Sequence, residues 1–285
     1  MIDKKYLKIL DIKPVSYRKD KSTIIVNEKY VFKDKKKDLN NLFKSLKERD
    51  FNNFPNLLYS DDNINVFEYI KEDKKYDLVD IVSLLHKKTL SYEDCDISFY
   101  DNIYNNILDK VNDLESYYLK LNEEIENEIY MSPSNYLLVR NISKIYSDIN
   151  YIKEEVNTWY DNIKDKTKKK VSIINNNLDD THIINDIVIS WDNYEEDLPI
   201  IDIYKYYKNV YDKYPFINIF KKYVSKNKPS EEEILLFFIL ISLPDKIEFT
   251  SDEYKNVERV NKMLNYIFKT DNFISEYYSN NEKKE

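Results

Sequence analysis

The sequence predicts an α+β protein with an N-terminal antiparallel sheet followed by a longer, mostly helical region. Two observations support this fold class. Near the N-terminus, β-rich segments flank short polar turns, and one amphipathic helix lies between them. From about residue 98 onward, apolar side chains recur every three or four positions over long stretches, which is the spacing of helices that bury one face.

The N-terminal strands form two predicted hairpins. Residues 22–33 alternate around the turn-forming pair Asn27-Glu28, and residues 57–70 flank a polar turn at positions 60–63. Between the hairpins, Asp38 is placed to cap a helix. The apolar face of that helix consists of Leu39, Leu42, Phe43 and Leu46. The order hairpin, helix, hairpin therefore predicts a small sheet covered by one helix.

The helical region begins with an amphipathic helix over residues 77–89 and continues with two long segments joined by a short turn. At that turn, Ser132 can cap the second segment while Pro133 takes its first helical position. An antiparallel helical hairpin over about residues 98–166 is therefore predicted. Further helices are predicted over residues 203–223, 230–243 and 251–269.

The composition is strongly biased. The sequence contains no glycine, alanine or glutamine, whereas Asn, Lys, Ile and Tyr are abundant, as expected for a bacterium with an AT-rich genome. Positions with positive φ are therefore expected to be occupied by Asn or Asp. The absence of glycine also excludes the glycine-rich phosphate loops of the Walker and Rossmann types.

Charge and cysteine content exclude other classes of function. Charged residues make up 34% of the chain and the net charge is -8, with no basic face that would predict a nucleic-acid partner. The single cysteine, Cys95, excludes an intramolecular disulfide and a cysteine-based zinc site. His86 is predicted to be a packing histidine. Because no signal core or membrane-spanning run is evident, we expect a cytoplasmic protein without a membrane partner.

Residues 171–202 contain the pattern that is most informative about function. An apolar strand ends at Ile174 and leads into a polar loop, residues 175–182, that starts with three asparagines. The next apolar run turns at Asn185-Asp186 and ends at Ser190, which Trp191 and Asp192 follow. Asp202 then lies at the start of a predicted helix, where we expect it to be the N-cap.

This order of elements resembles the catalytic segment of the aminoglycoside phosphotransferase and choline kinase family, a branch of the protein-kinase-like fold. In that family the loop reads His-Gly-Asp, an Asn follows five residues after the Asp, and the next strand ends in Ile-Asp-Trp or Ile-Asp-Phe. The corresponding positions here are Asn177 for the catalytic base, and His182 and Ser190 for the two magnesium ligands. The resemblance thus implies that the residues of the chemistry are changed while the scaffold is kept.

The resemblance implies a two-lobed protein-kinase-like fold. A small lobe over residues 1–71 would hold the antiparallel sheet and one helix, and a larger helical lobe over residues 72–285 would include the helical hairpin. Lys33, on the strand before the helix, corresponds to the lysine that contacts nucleotide phosphates. The adenine-binding hinge corresponds to Glu68, Tyr69 and Ile70.

The C-terminal region is similar to that of bacterial spore-coat-associated kinase-like proteins. In those proteins a motif resembling Pro-x-Lys-Phe-Trp follows an apolar helix, and Pro244, Lys246 and Phe249 approximate it here with one additional residue and without the Trp. The resemblance therefore extends over nearly the whole chain and implies association with a spore coat.

Phosphoryl transfer in this fold needs a carboxylate near the acceptor hydroxyl and oxygen ligands for magnesium. The Asn177 amide does not accept a proton near neutral pH, the imidazole of His182 is a poor magnesium ligand, and Ser190 is neutral. We therefore predict a catalytically inactive pseudokinase, without cofactor or metal, that binds or assembles with another protein.

One alternative remains open from the sequence. An active small-molecule phosphotransferase could use ATP and Mg²⁺ if a relocated carboxylate replaced the missing ones. The candidates are Asp192, which follows Ser190 by two positions, and Asp179 or Asp180 in the polar loop.

Overall fold

The computed structural model describes residues 4–20, 23–72 and 77–282. The first predicted hairpin begins at Ser22, and the predicted lobes include residues 1–3 and 283–285. These residues lie outside the described part of the chain. The chain divides into two compact units, of which unit 1 comprises Met1–Ser91 and Val171–Pro199, and unit 2 comprises Tyr92–Lys170 and Ile200–Glu285. The lobe boundary at residue 71 remains a prediction.

Unit 1 contains an antiparallel sheet with the strand order β1-β2-β3-β5-β4. The strands are β1 (Tyr17–Asp20), β2 (Thr23–Val26), β3 (Tyr30–Asp34), β4 (Leu57–Ser60) and β5 (Ile64–Glu68). The turn between β2 and β3 has positive φ at both central residues, Asn27 (53°) and Glu28 (51°), as a tight hairpin turn requires. Both predicted hairpins are present. The edge strand β1 is an addition that the sequence pattern does not predict.

The helices of unit 1 are α1 (Lys4–Ile9), α2 (Leu39–Glu48) and α3 (Leu78–Thr89). The carboxylate of Asp38 accepts a 3.0 Å hydrogen bond from the backbone N–H of Asn40, so the predicted cap of α2 is confirmed. Asp77 caps α3 in the same way through the N–H of Val79. His86, on α3, is buried as expected for a packing histidine.

The polar segment of unit 1 follows β7 (Lys168–Ile174), which lies between β6 (Ser91–Asp94) and β10 (Glu195–Asp197) in a small sheet. A short 3-10 turn over Asp180–His182 leads into the hairpin of β8 (Ile183–Ile184) and β9 (Ile187–Val188). Asn185 has a φ of 58°, which confirms the predicted turn between these two strands.

Unit 2 begins with the helical hairpin of α4 (Ile97–Glu126) and α5 (Pro133–Ile163). The Ser132 hydroxyl accepts a hydrogen bond from the N–H of Asn135, and Pro133 opens α5, as predicted. The Tyr160 hydroxyl donates to Asp101 over 2.6 Å, and Lys153 pairs with Glu115, also at 2.6 Å. The first pair joins the start of α4 to the end of α5, so the hairpin is antiparallel.

The remaining helices are α6 (Pro199–Val210), α7 (Ile217–Asn227), α8 (Glu231–Ser242) and α9 (Glu253–Glu282). The prediction of one helix over residues 203–223 is wrong, because the chain leaves the helix before Pro215, which lacks a backbone N–H. The N-cap prediction for Asp202 is also wrong, since α6 begins at Pro199 and the buried Asp202 lies in its first turn. The last helix is longer than predicted.

Backbone positions with positive φ only partly follow the expectation from composition. Asn or Asp occupies most of them, including Asn176, Asn185 and Asp50, but Glu28 and Lys228 are also left-handed. These two side chains have a Cβ atom that disfavours this conformation, so each position stores a small amount of strain.

In the part of the chain that the structure describes, no helix combines the length and the apolar character that crossing a bilayer requires.

Candidate functional site

A cleft of about 510 Å³ lies within unit 1, between the antiparallel sheet and residues 171–199. Its wall contains Lys33 from β3 and three residues that the sequence analysis singled out, Asn177, His182 and Ser190. Asp192 also lines it. The structure therefore brings the predicted site residues of the polar segment and the sheet lysine to one cleft.

Trp191 fixes the position of the residues on either side of it. Its indole is buried and packs edge-on against Phe43 and Phe51, with ring centroids 6.0 and 6.2 Å away. The indole N–H donates a 2.6 Å hydrogen bond to the Val188 carbonyl. The α2 face predicted from the sequence thus anchors this segment, so that the neighbours of Trp191 both line the cleft.

An ion pair joins the sheet to the polar segment. The Nζ atom of Lys33 lies 2.5 Å from Oδ2 of Asp192, and the two side chains are 16% and 9% exposed. Because both charges are largely removed from water, the pair is held more tightly than a surface ion pair.

The Asn177 amide, which the sequence analysis predicts to lie at the position of a catalytic base, is already hydrogen bonded. Nδ2 of Asn177 donates to the Ser190 hydroxyl over 2.9 Å, and the Asn177 carbonyl lies 2.7 Å from Nδ1 of His182. Asn177 therefore contacts both Ser190 and His182 directly. None of these contacts involves a carboxylate.

The other two asparagines of the loop have structural roles. Nδ2 of Asn175 donates a 2.5 Å hydrogen bond to the Ser190 carbonyl, and the Asn175 side chain is fully buried. Asn176 has a φ of 62°. Asn tolerates this left-handed conformation better than other residues with a Cβ.

Asp179 and Asp180 are not among the residues that line the cleft in the described part of the chain. Oδ1 of Asp179 accepts hydrogen bonds from the N–H and the hydroxyl of Thr181, at 2.9 and 2.8 Å. Asp179 therefore caps the short turn that places His182. Of the carboxylates proposed as replacements, Asp192 is the one that the structure places in the cleft.

Apolar side chains from both sides of the cleft line part of its wall. The sheet contributes Ile25, Val31 and Phe67, and the polar segment contributes Ile184 and Ile189. The predicted hinge residues Glu68, Tyr69 and Ile70 border the same region. The backbone N–H of Tyr69 donates to the Lys29 carbonyl over 2.8 Å, which ties the hinge segment to the β2–β3 hairpin. This wall has the chemistry to hold a flat apolar ring.

Several charged residues of the cleft were not predicted from the sequence. Arg18 and Asp20, both on the unpredicted strand β1, line it together with Lys36 and Glu72. All four side chains of β1 are exposed, so this strand lacks the apolar alternation by which strands are recognised. Charged side chains on an edge strand commonly protect a sheet against unwanted pairing. The charged residues of β1 were therefore the sequence signal by which this edge strand could have been predicted.

The residues present do not fit a magnesium ion held as in active kinases. Hard cations prefer several oxygen ligands, whereas residues 171–199 contribute one carboxylate to the cleft wall, Asp192, and it is paired with Lys33. Across the described residues there is also no cluster of three or more His, Cys, Asp or Glu side chains that could hold a metal.

Comparison with solved structures identifies the fold. An aminoglycoside phosphotransferase from Alicyclobacillus acidocaldarius matches with a TM-score of 0.71 at 10% identity, over 99% of this chain and 97% of that chain. A spectinomycin phosphotransferase in complex with AMP matches with a TM-score of 0.52 at 9% identity, over 96% and 94% of the two chains. Glucosamine kinase matches with a TM-score of 0.51 at 7% identity, over 93% and 76%.

No protein-family model matches the sequence, and a search of curated proteins found no match. At identities of 10% or less, the structural likeness defines the fold. The chain has the α+β, protein-kinase-like fold of these phosphotransferases, which confirms the resemblance in fold inferred from residues 171–202.

Proposed function

We propose that this chain is a catalytically inactive protein with a kinase fold, a pseudokinase, that acts as a binding or assembly module for another protein. The observation that supports this most directly is the hydrogen bond from Nδ2 of Asn177 to the Ser190 hydroxyl. It links the positions of the catalytic base and of the principal metal ligand through two neutral groups. Neither group can accept the proton of an acceptor hydroxyl or balance the charge of a metal–phosphate complex near neutral pH.

Nucleotide binding, on this proposal, is weak and does not depend on magnesium. The apolar wall of the cleft would receive the base, and Lys33 would attract phosphate once its pair with Asp192 is broken. Breaking that pair leaves a carboxylate in a shielded place beside the polyphosphate, which opposes binding. Lys33 alone attracts phosphate without orienting it for in-line transfer.

A thermal-shift titration with ATP, with and without Mg²⁺, tests the proposal. We expect little stabilisation of the wild type, and no difference when Mg²⁺ is added. The double variant Asn177→Asp/Ser190→Asp should gain Mg²⁺-dependent stabilisation by ATP, because it adds two carboxylates to the cleft, one of them at the position that the resemblance assigns to the principal magnesium ligand. The variant Asn193→Asp adds a carboxylate to the same cleft away from these positions and is the matched control. Strong Mg²⁺-dependent stabilisation of the wild type would contradict the proposal.

A second candidate function is that of an active small-molecule phosphotransferase that uses ATP and Mg²⁺. The ion pair between Lys33 and Asp192 favours it, because it places a carboxylate next to the lysine that corresponds to the phosphate-binding one. Under this alternative, Asp192 would take over the role of the metal ligand from Ser190. ATP turnover by the wild type that disappears in Asp192→Asn would support it.

The proposed protein partner is expected to bind unit 2 and not the cleft. The turn between α4 and α5 exposes two large apolar side chains, Ile129 (90% exposed) and Tyr130 (91% exposed). Recovery of a partner by affinity capture should fall with Ile129→Ser/Tyr130→Ser and persist with Asn177→Ala. Incorporation into a spore coat is the more specific form of this proposal, and it is supported by the resemblance of residues 244–249.

A further inference from the structure

A second cavity, of about 400 Å³, lies in unit 2 and is separate from the cleft. It is lined by α6, by residues 245–248 and by α9. Its floor is apolar and aromatic, formed by Tyr211, Ile247, Met263 and Tyr266, each of which is at most 9% exposed. Such a volume and such a floor are those of sites for small ring-containing ligands.

The rim of this cavity is basic, although the chain as a whole is acidic. Among the described residues that line it, the basic ones are Lys208, Lys246, Arg259 and Lys262, and the acidic ones are Asp245 and Glu248. The whole chain has a net charge of -8, so an excess of cations around one concave surface is a local departure from the average. Four basic side chains against two acidic ones give this concave surface an excess of positive charge, which attracts anionic ligands.

The positive charges are available to a ligand. Within the described residues, Lys262 forms no ion pair. The ammonium of Lys208 lies 3.1 Å from Asp245, but the Asp245 side chain is 84% exposed, so water screens this pair. Nη1 of Arg259 donates to the Glu248 carbonyl, and the guanidinium has further N–H donors.

Contacts from α4 and α9 hold the rim in place. The Tyr118 hydroxyl donates to the Asp245 carbonyl over 2.9 Å and accepts a hydrogen bond from the N–H of Ile247 at 3.2 Å. The Lys246 ammonium lies 4.3 Å from the ring centroid of Tyr117. Likewise, the Lys208 ammonium lies 4.4 Å from the ring centroid of Tyr266. Because these groups are already positioned, binding an anion would cost little additional ordering.

We propose that this cavity binds a small organic anion in which a phosphate group is attached to a planar ring. The phosphate would meet the cations of Arg259 and Lys262 at the rim, while the ring would pack on Met263 and Tyr266 in the floor. The phosphate and the ring thus use different parts of the cavity, and each part can be tested separately. The site does not depend on the pseudokinase proposal, because no residue of the cleft contributes to it.

Isothermal titration of the full chain with phenyl phosphate tests this proposal. We expect binding in the range of about 1 mM, and inorganic phosphate, which lacks the ring, should bind several-fold more weakly. Lys262→Gln should weaken the binding of phenyl phosphate about fivefold, because an exposed cation that contacts a phosphate is removed. Lys255→Gln is the matched control, since Lys255 is also on α9 but pairs with Asp252 outside the cavity.

Three results would overturn the proposal. The first is the absence of phenyl phosphate binding to the wild type. The second is binding that Lys262→Gln and Lys255→Gln weaken equally, which would indicate a general charge effect. The third is equal affinity for inorganic phosphate and phenyl phosphate, which would remove the role of the aromatic floor.

Discussion

The side chains of Lys33 and Asp192 form an ion pair of 2.5 Å between strand β3 and the segment that follows Trp191. Lys33 is the residue that the sequence analysis predicts to contact nucleotide phosphates, and its partner here is a carboxylate two residues beyond the expected metal ligand. Both side chains are mostly shielded from water, at 16% and 9% exposure. In this structure Asp192 therefore balances the positive charge of Lys33.

Removing one member of this pair should destabilise the protein. Asp192→Asn leaves the Lys33 ammonium without its counter-charge in a shielded position, and we expect the free energy of unfolding to fall by about 2 kcal/mol. Urea unfolding measures the change. In the double variant Lys33→Met/Asp192→Asn most of the loss should be recovered, because no unpaired charge remains. If the double variant lost as much stability as Lys33→Met and Asp192→Asn lose separately when summed, the two side chains would not be coupled.

The stability of unit 2 should decrease with rising pH because of Asp148 on α5. Burial, with a smaller contribution from Asp271, raises the pKa of Asp148 from an ordinary 3.8 to about 8. Burial also raises the pKa of Asp271, which the nearby charge of Lys144 partly opposes. Between pH values of about 4 and 8 the unfolded chain therefore holds fewer protons than the folded chain, and the free energy of unfolding falls as pH rises.

Asp148→Asn should remove the contribution of Asp148 to this pH dependence, since the amide is neutral throughout, and leave the contribution of Asp271. We expect the melting temperature at pH 8 to rise by about 3–6 °C, with a much smaller change at pH 5. Calorimetry at both pH values checks this. The exposed Asp109→Asn on α4 is the control and should change neither value. An equal effect of Asp148→Asn at both pH values would mean that its carboxyl does not titrate in this range.

The chain should become more stable where glycine replaces a left-handed residue with a Cβ. Glu28 (φ 51°) and Lys228 (φ 46°) are such positions, in a hairpin turn and at the end of α7. Glu28→Gly and Lys228→Gly should each raise the free energy of unfolding by about 0.5–1 kcal/mol, since relief of strain exceeds the entropy that glycine adds to the unfolded chain.

The control for these variants is Lys221→Gly, in the interior of α7. Glycine is unfavourable within a helix, so this change should lower stability by about 1 kcal/mol. If all three variants lost stability, the left-handed positions would not be strained.

The fold of this chain could be predicted where local chemistry decides the structure. Two helix caps, Asp38 and Ser132, and one hairpin turn, Asn27-Glu28, are found at the positions predicted from the neighbouring residues in the sequence. The apolar face of α2 was predicted from its spacing, and it is the face against which Trp191 packs. These features depend on residues close together in the chain.

The parts that could not be predicted depend on long-range packing or lack a local pattern. Strand β1 is exposed on all four side chains, so no apolar periodicity indicates it. The partner of Lys33 is on a distant segment, and the sequence offered Asp192, and also Asp179 or Asp180, as replacement carboxylates. The break between α6 and α7 had a local signal in Pro215, but the apolar spacing on both sides of it favoured a continuous helix.

The measurement that tests the central claim most directly is ATP turnover with Mg²⁺ by the purified full chain, compared with Asp192→Asn and with the Asn193→Asp control. The pseudokinase proposal predicts that phosphate release by the wild type equals the release measured without protein, and that Asp192→Asn leaves it unchanged. Turnover by the wild type that is kept in Asn193→Asp and lost in Asp192→Asn would contradict it, and would assign the chemistry to the carboxylate paired with Lys33.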